Sequence, residues 1–298
     1  MAITFSCLAI SAAVLTTGPQ SVSASAQTMI KPVVFEAAPE TSQTMTYELY
    51  AGGIHAVQAT LDVQHSPKND QYRLFLSANT RGFLGKLVPW SGSFETYGWS
   101  LSDDIDKPKL HESISLWRNE EEIKTYSYAK DGKFLDLKIT EAGVDKSPKN
   151  LEDELVQNSI DAMTAALEVM RAVGNDKPCE GTSEVFDGKR RFKMKFKHDA
   201  DETLKKTDYN VYSGIASRCV VEVEPMTGAW HKKPRGWLSI QEQGRDKGAL
   251  PTLWLAKLDE DSPAVPVKLR IKTDYGTLFM HMVEYKHGDK VISASSKK

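Results

Sequence analysis

Along most of the chain apolar side chains recur at every second position, in short runs bounded by Gly, Asn, Asp or Pro. The stretch MTYELYAGGIHAVQATLDVQ is built around Gly52-Gly53, a pair that supplies the positive φ angles of a two-residue hairpin, and it predicts two antiparallel strands. The alternation returns in QYRLFLSANT, GSFETYGWSLS, KLHESISLWR, EIKTYSYAK and, after Asp131-Gly132, KFLDLKIT. Beyond Cys179 it continues through KTDYNVYS, ASRCVVEVEPM, RGWLSIQEQ, TLWLAKLD and PVKLRIKTDYGTLFMHMVEY, the last read as a long hairpin turning between Asp274 and Gly276.

One segment has another period. In LEDELVQNSIDAMTAALEVMRAVGNDKP, Val156, Ile160, Met163, Leu167 and Met170 fall three or four residues apart; Asn158 or Ser159 is the cap, and Gly174 with Pro178 beyond it is the stop. The expected fold is mainly β: an antiparallel β-barrel or half-barrel with one principal α-helix, because a sheet of about a dozen twisted strands curls. It forms a single barrel-like domain over residues 45–290, preceded by a polar, Pro-containing lead-in at 27–44 expected to be flexible.

The first residues change the compartment. An apolar run from Ile3 to Leu15, the breaker Gly18-Pro19 and small residues ending at Ala26 have the grammar of a signal peptide over 1–26, although no Lys or Arg precedes the run. That run is too short to span a bilayer, and no later segment approaches the roughly 20 apolar residues required, so no transmembrane segment is expected in the mature chain. Two cysteines then remain, Cys179 and Cys219, and in an oxidising compartment their even number predicts a disulfide.

Charge excludes one class of partner. A formal net charge of −2 gives no field for gathering nucleic acid. The basic run in VFDGKRRFKMKF reads as half of a hairpin: Asp187-Gly188 makes a two-residue turn pairing Phe186 with Lys189, Val185 with Arg190 and Glu184 with Arg191. Phe192, Met194 and Phe196 then point inward, while Arg191, Lys193, Lys195 and Lys197 form a wet basic face.

Signatures of catalysis are missing: there is no GxSxG, HExxH, Walker loop or GxGxxG, and the seven histidines, read as mostly surface residues, lack metal-ligand spacing. Asp103-Asp104 and Asp259-Glu260-Asp261 read as solvated turn charges, and Trp117, Trp230, Trp237 and Trp254 as core or rim packing. The expectation is a protein without enzymatic activity, metal or cofactor. In NTRGFLGKLVPWSGSFETYGW, Phe83, Leu84, Leu87, Val88 and Trp90 crowd a Gly-rich connection that either gates a cavity or folds in to plug the core. With Met163, Leu167 and Met170 of the helix, Phe83, Leu84, Leu87 and Trp90 make the candidate apolar ligand site, although a helical stripe is usually core.

YELYAGGIHA, a helix carrying Asp161, FDGKRRF at 186–192, SRCVVEVEPMTGAW and VPVKLRIKTDYG occur in an order that resembles the bacterial envelope family known as domain of unknown function 3108. The resemblance implies an exported, periplasmic antiparallel-sheet protein and no assigned catalytic residue. In architecture it is similar to half-barrel carriers of acyl chains and lipoproteins, an analogy that fold alone does not convert into function. The leading expectation is a cell-envelope protein holding a lipid or amphipathic ligand in a barrel cavity. The alternatives are an interaction module with a filled core that captures an envelope protein and, third, an envelope hydrolase.

Overall fold

The computed structural model describes residues 41–102, 105–230, 237–274 and 276–293. The signal segment, most of the lead-in, Asp103-Asp104 and Tyr275 of the last hairpin turn lie outside the described residues. Fifteen strands there form one antiparallel sheet in two meandering arms. The first runs through β1 (Thr41–Ala51), β2 (Ile54–Ser66), β3 (Gln71–Thr80), β4 (Trp90–Ser102), β5 (Ile105–Trp117), β6 (Glu120–Tyr128), β7 (Phe134–Glu141) and β8 (Val144–Asp145). The second comprises β9 (Gly181–Phe186), β10 (Arg190–Leu204), β11 (Gly214–Gly228), β12 (Thr252–Ala256), β13 (Val265–Thr273) and β14 (Gly276–His287), with β15 (Lys290–Ser293) attached to β14. β1 pairs with β14 and joins the arms, leaving β8 and β9 as edges. The first hairpin turns as expected, with Gly52 at φ 56° and Gly53 at φ 84°.

The sheet is not closed by hydrogen bonds. Side chains bridge its two edges instead: Phe186 of β9 meets Tyr126 of β6 and Phe134 of β7 edge-on, at centroid distances of 6.1 and 5.7 Å. Leu151, Leu155 and Val156 pack on the same cluster. Ile160 forms a parallel bridge to Val185, its N–H donating to the Glu184 carbonyl at 2.9 Å, so the chain entering the main helix seals the gap.

That helix, α3 (Ala162–Gly174), follows the single turn α2 (Asp153–Val156) and is shorter than its apolar spacing suggested. The segment breaks at Asn158, which takes φ 56°, and the cap is Asp161, whose carboxylate accepts from the N–H groups of Met163 and Thr164. Leu167, Val169, Met170 and Val173 pack with Met45, Tyr47, Val267, Met282 and Tyr285 in the main core. Burying a side chain such as Leu167 contributes roughly 1.5–3 kcal/mol. Cys179, just beyond α3, is disulfide-bonded to Cys219 on β11 across a Cα–Cα distance of 6.0 Å, both residues fully buried.

Other local expectations are corrected. β1 starts at Thr41, inside the presumed lead-in, where Gln43 is buried between the Pro263 carbonyl and the Tyr285 hydroxyl. RGWLSIQEQ contributes to a helix, α4 (Trp237–Asp246), instead of a strand. β12 covers β11 only between Ser217 and Val220, and Gln241 of α4 satisfies both the N–H and the carbonyl of Val223 beyond it. KTDYNVYS forms no strand, because Thr207 and Asn210 hydrogen-bond the local backbone and Asn210 also reaches the Val267 carbonyl.

Candidate functional site

α3 has two faces. Opposite its apolar stripe, Asp161, Thr164, Glu168 and Arg171 recur at helical intervals, and each meets a polar partner. The Asp161 carboxylate accepts from Thr96 of β4 at 2.9 Å and from Thr164 at 2.5 Å, while the Thr164 and Tyr72 hydroxyls lie 2.8 Å apart. Thr96 spends its one proton on Asp161, so His111 of β5, 2.7 Å from it, presents Nδ1–H. Burial depresses the His111 pKa, opposed by the Asp161 charge.

Further along, Arg171 donates to Asp106 of β5 and to Ser100 of β4, both at 2.7 Å. Burial raises the Asp106 pKa against the pull of Arg171. Glu168 accepts from Ser183 of β9 at 2.8 Å, and burial pushes its carboxyl up to about 7. Such shifts often mark catalysis. Here Asp161, Thr164, Tyr72 and Thr96 are at most 1% exposed, and the hydrogen bonds of the stripe latch α3 onto the sheet. Open clefts lie beside the helix and the chain that enters it. One of about 260 Å³ is lined by Tyr72, Leu167, Arg171 and Ser262, and one of about 500 Å³ by Lys107, Phe134, Asp153 and Ile160.

The structure divides the predicted apolar site in two. Leu167 and Met170 are core, 2% and 4% exposed, and Met163 packs half-buried against it; Leu167 also lines a cleft. Phe83, Leu84 and Leu87 stand on a short helix, α1 (Gly82–Leu87), at the far ends of β3 and β4. Phe83 and Leu87 are 64% and 54% exposed, so the connection neither plugs the core nor meets α3. Trp90 is half-buried and donates from Nε1 to Ser115 at 3.0 Å. The exposed side chains of Ile54, Leu116 and Trp117 occupy the same end of neighbouring strands, extending this apolar rim.

The basic face is changed in register and in charge. Phe186 pairs with Arg191, Val185 with Phe192 and Glu184 with Lys193, because the Asp187 carboxylate accepts from the N–H groups of Lys189 and Arg190 and widens the turn to four residues. The slip is two residues, so the alternation survives, with Phe192 and Phe196 buried. Arg191 is the exception: a bulge turns it in, where it pairs with Glu184 and donates to the Glu154 carbonyl. Lys193 and Lys195 face Glu224 and Glu222 across the ladder, Lys195 also pairs with Glu224, and Lys197 alone of the four is exposed. The face is therefore neutralised from β11.

The histidine expectation is also corrected: the described histidines are half-buried, His111 with a side chain 12% exposed, and His55 and His281 each have one ring nitrogen without a hydrogen-bond partner among the described residues. Among the described residues no group of His, Cys, Asp or Glu has the arrangement of a metal site. No described helix is long and apolar enough to cross a membrane. Trp254 is core, as expected, Trp117 is exposed, and nothing is described of the Trp237 side chain.

Comparison with known sequences gives a match to the family described as "Protein of unknown function (DUF3108)" over residues 46–283. No curated protein matches the chain. A similar solved structure is the crystal structure of a beta-barrel-like protein of domain of unknown function DUF1849 from Brucella abortus. It has 10% identity, a TM-score of 0.47 and coverage of 85% of this chain and 100% of its own.

Proposed function

Because the chain belongs to the DUF3108 family, which has no assigned activity, its role has to come from its own surface, and we propose that it is an exported, periplasmic cell-envelope protein that docks on lipid through the apolar rim, by binding and without catalysis. The observation that carries this reading is the exposure of Phe83 and Leu87 on α1, with Ile54 and Trp117 on flanking hairpins. Large apolar side chains gathered at one end of a sheet lose their contact with water against a bilayer or an amphipathic molecule. Burial of Leu167 and Met170 in the core, with Phe83 and Leu87 turned to solvent, favours a contact on the outside. The buried disulfide supports an oxidising compartment.

The test is flotation of the full chain, as isolated from cells, with phospholipid vesicles. Wild type is expected to float, and a Phe83→Asp/Leu87→Asp variant to remain in solution with an unchanged urea midpoint, since neither side chain contributes to the core. Failure of the wild type to associate with any vesicle refutes the lipid reading. Recovery of the chain with cytoplasmic markers on fractionation refutes the periplasmic one.

A further inference from the structure

The outer face of the sheet next to the rim carries a second set of side chains. Tyr50 of β1 is the cross-strand partner of Phe279 of β14 and of His55 of β2, and Phe279 is the partner of Arg270 of β13. One row inward, His281 is the partner of Lys268. The rings touch in series: Tyr50 lies 5.3 Å from His55 and 5.2 Å from Tyr209, and Phe279 stacks on His281 at 5.7 Å. Tyr209, at 56% exposure, is the outermost.

Both cations of this belt have charge to spare. Among the described residues neither Lys268 nor Arg270 forms an ion pair; both lie over the Trp254 ring, at 4.4 and 5.5 Å. The Nε of Arg270 has no partner, and its guanidinium makes one long contact, 3.4 Å, to Thr252. The nearby carboxylates are engaged elsewhere. Glu48 accepts from the Tyr50 hydroxyl, and Glu202 from Trp254 Nε1 at 3.0 Å and from Arg218 at 3.1 Å. Burial depresses the Lys268 pKa, and Arg270 and Arg218 add to the effect while Glu202 opposes it, so an anion placed here relieves the site.

Position decides what that anion is. Tyr50 lies two residues from Gly52, and Phe279 and Arg270 lie three residues from Gly276 and Thr273, the strand ends at the rim. At about 3.4 Å per residue their row sits about 10 Å behind the rim, and Lys268 about 17 Å behind it. Interfacial elements enter a bilayer by about 5–10 Å, which brings the aromatic row and Arg270 to the headgroups and leaves Lys268 within a Debye length of them. We propose that this belt, Tyr50, Tyr209, Phe279, Arg270 and Lys268, binds the headgroups of anionic phospholipids and gives the docked protein its lipid preference. The proposal rests on the rim reading above.

Its test compares phosphatidylcholine vesicles with and without phosphatidylglycerol. Wild type is expected to bind the mixed vesicles more tightly, by about fivefold for Arg270 and by less for the more distant Lys268, and to lose that preference as salt is raised. A Lys268→Gln/Arg270→Gln variant is expected to bind both vesicles as wild type binds the neutral one. Should this variant fold poorly, the salt titration of wild type and the exposed substitution Tyr209→Ser, expected to weaken binding to both vesicles, carry the test. Equal, salt-insensitive binding of wild type to the two vesicles overturns the belt and leaves the rim standing. Binding to neither overturns both.

Discussion

Glu168 makes the latch between α3 and β9 dependent on pH. Burial lifts its pKa from 4.5 to about 7, the Ser183 hydrogen bond only partly opposing the rise. A carboxyl that holds its proton more tightly in the folded state destabilises the fold progressively as pH rises from the unfolded to the folded value. The cost is nearly absent below pH 4.5 and complete above about 7, where it amounts to about 3 kcal/mol. Glu168→Gln keeps a partner for Ser183 and cannot ionise. The variant is therefore expected to gain about 2–3 kcal/mol over wild type on moving from near pH 5 to near pH 8. Urea unfolding with the disulfide intact reads this difference at each pH, and any effect of the amide that does not titrate cancels between them. A stability difference that stays constant across the range refutes the buried, protonatable Glu168.

Other substitutions separate latch, core and rim. Asp161→Ala removes the α3 cap and the acceptor for Thr96 and Thr164, and is expected to cost roughly 3 kcal/mol or more, with Asp161→Asn less damaging, measured by urea unfolding. Leu167→Ala is expected to lose about 2–5 kcal/mol while leaving vesicle flotation unchanged, the reverse of the Phe83→Asp/Leu87→Asp result. Replacing Cys179 and Cys219 by Ser opens a loop of 40 residues' separation and is expected to lower stability by roughly 4 kcal/mol, read as a shift in the urea midpoint that reductant reproduces in wild type.

Hairpins were legible wherever a turn residue and strict alternation coincided: Gly52-Gly53 and the residues flanking it specify β1 and β2 almost unaided. The disulfide followed from compartment and parity. What alternation could not resolve were segments whose backbone is satisfied by side chains. The strand-like pattern of Trp237–Gln243 belongs to a helix because Gln241 completes the edge of β11, a long-range relation no local pattern records. Asp187 likewise outweighed the preference of Asp-Gly for a tight turn by capping two further amides. The polar latch leaves a trace in the helical spacing of Asp161, Thr164, Glu168 and Arg171, but the apolar stripe of the same helix has the same period, so spacing alone does not single the polar face out. The division of the candidate ligand site came from the direction α1 takes, which depends on where β3 ends.

The sheet's order also bears on how the polypeptide assembles. Each meander pairs strands that follow one another, so either arm forms from contacts close in sequence, whereas the nine rungs between β1 and β14 join residues more than 200 positions apart. Loop-closure entropy makes that junction the late and slow step. Mid-chain α3, arriving between the arms, gives both of them a common apolar surface on which to meet, and so shortens the search that distant strands otherwise face.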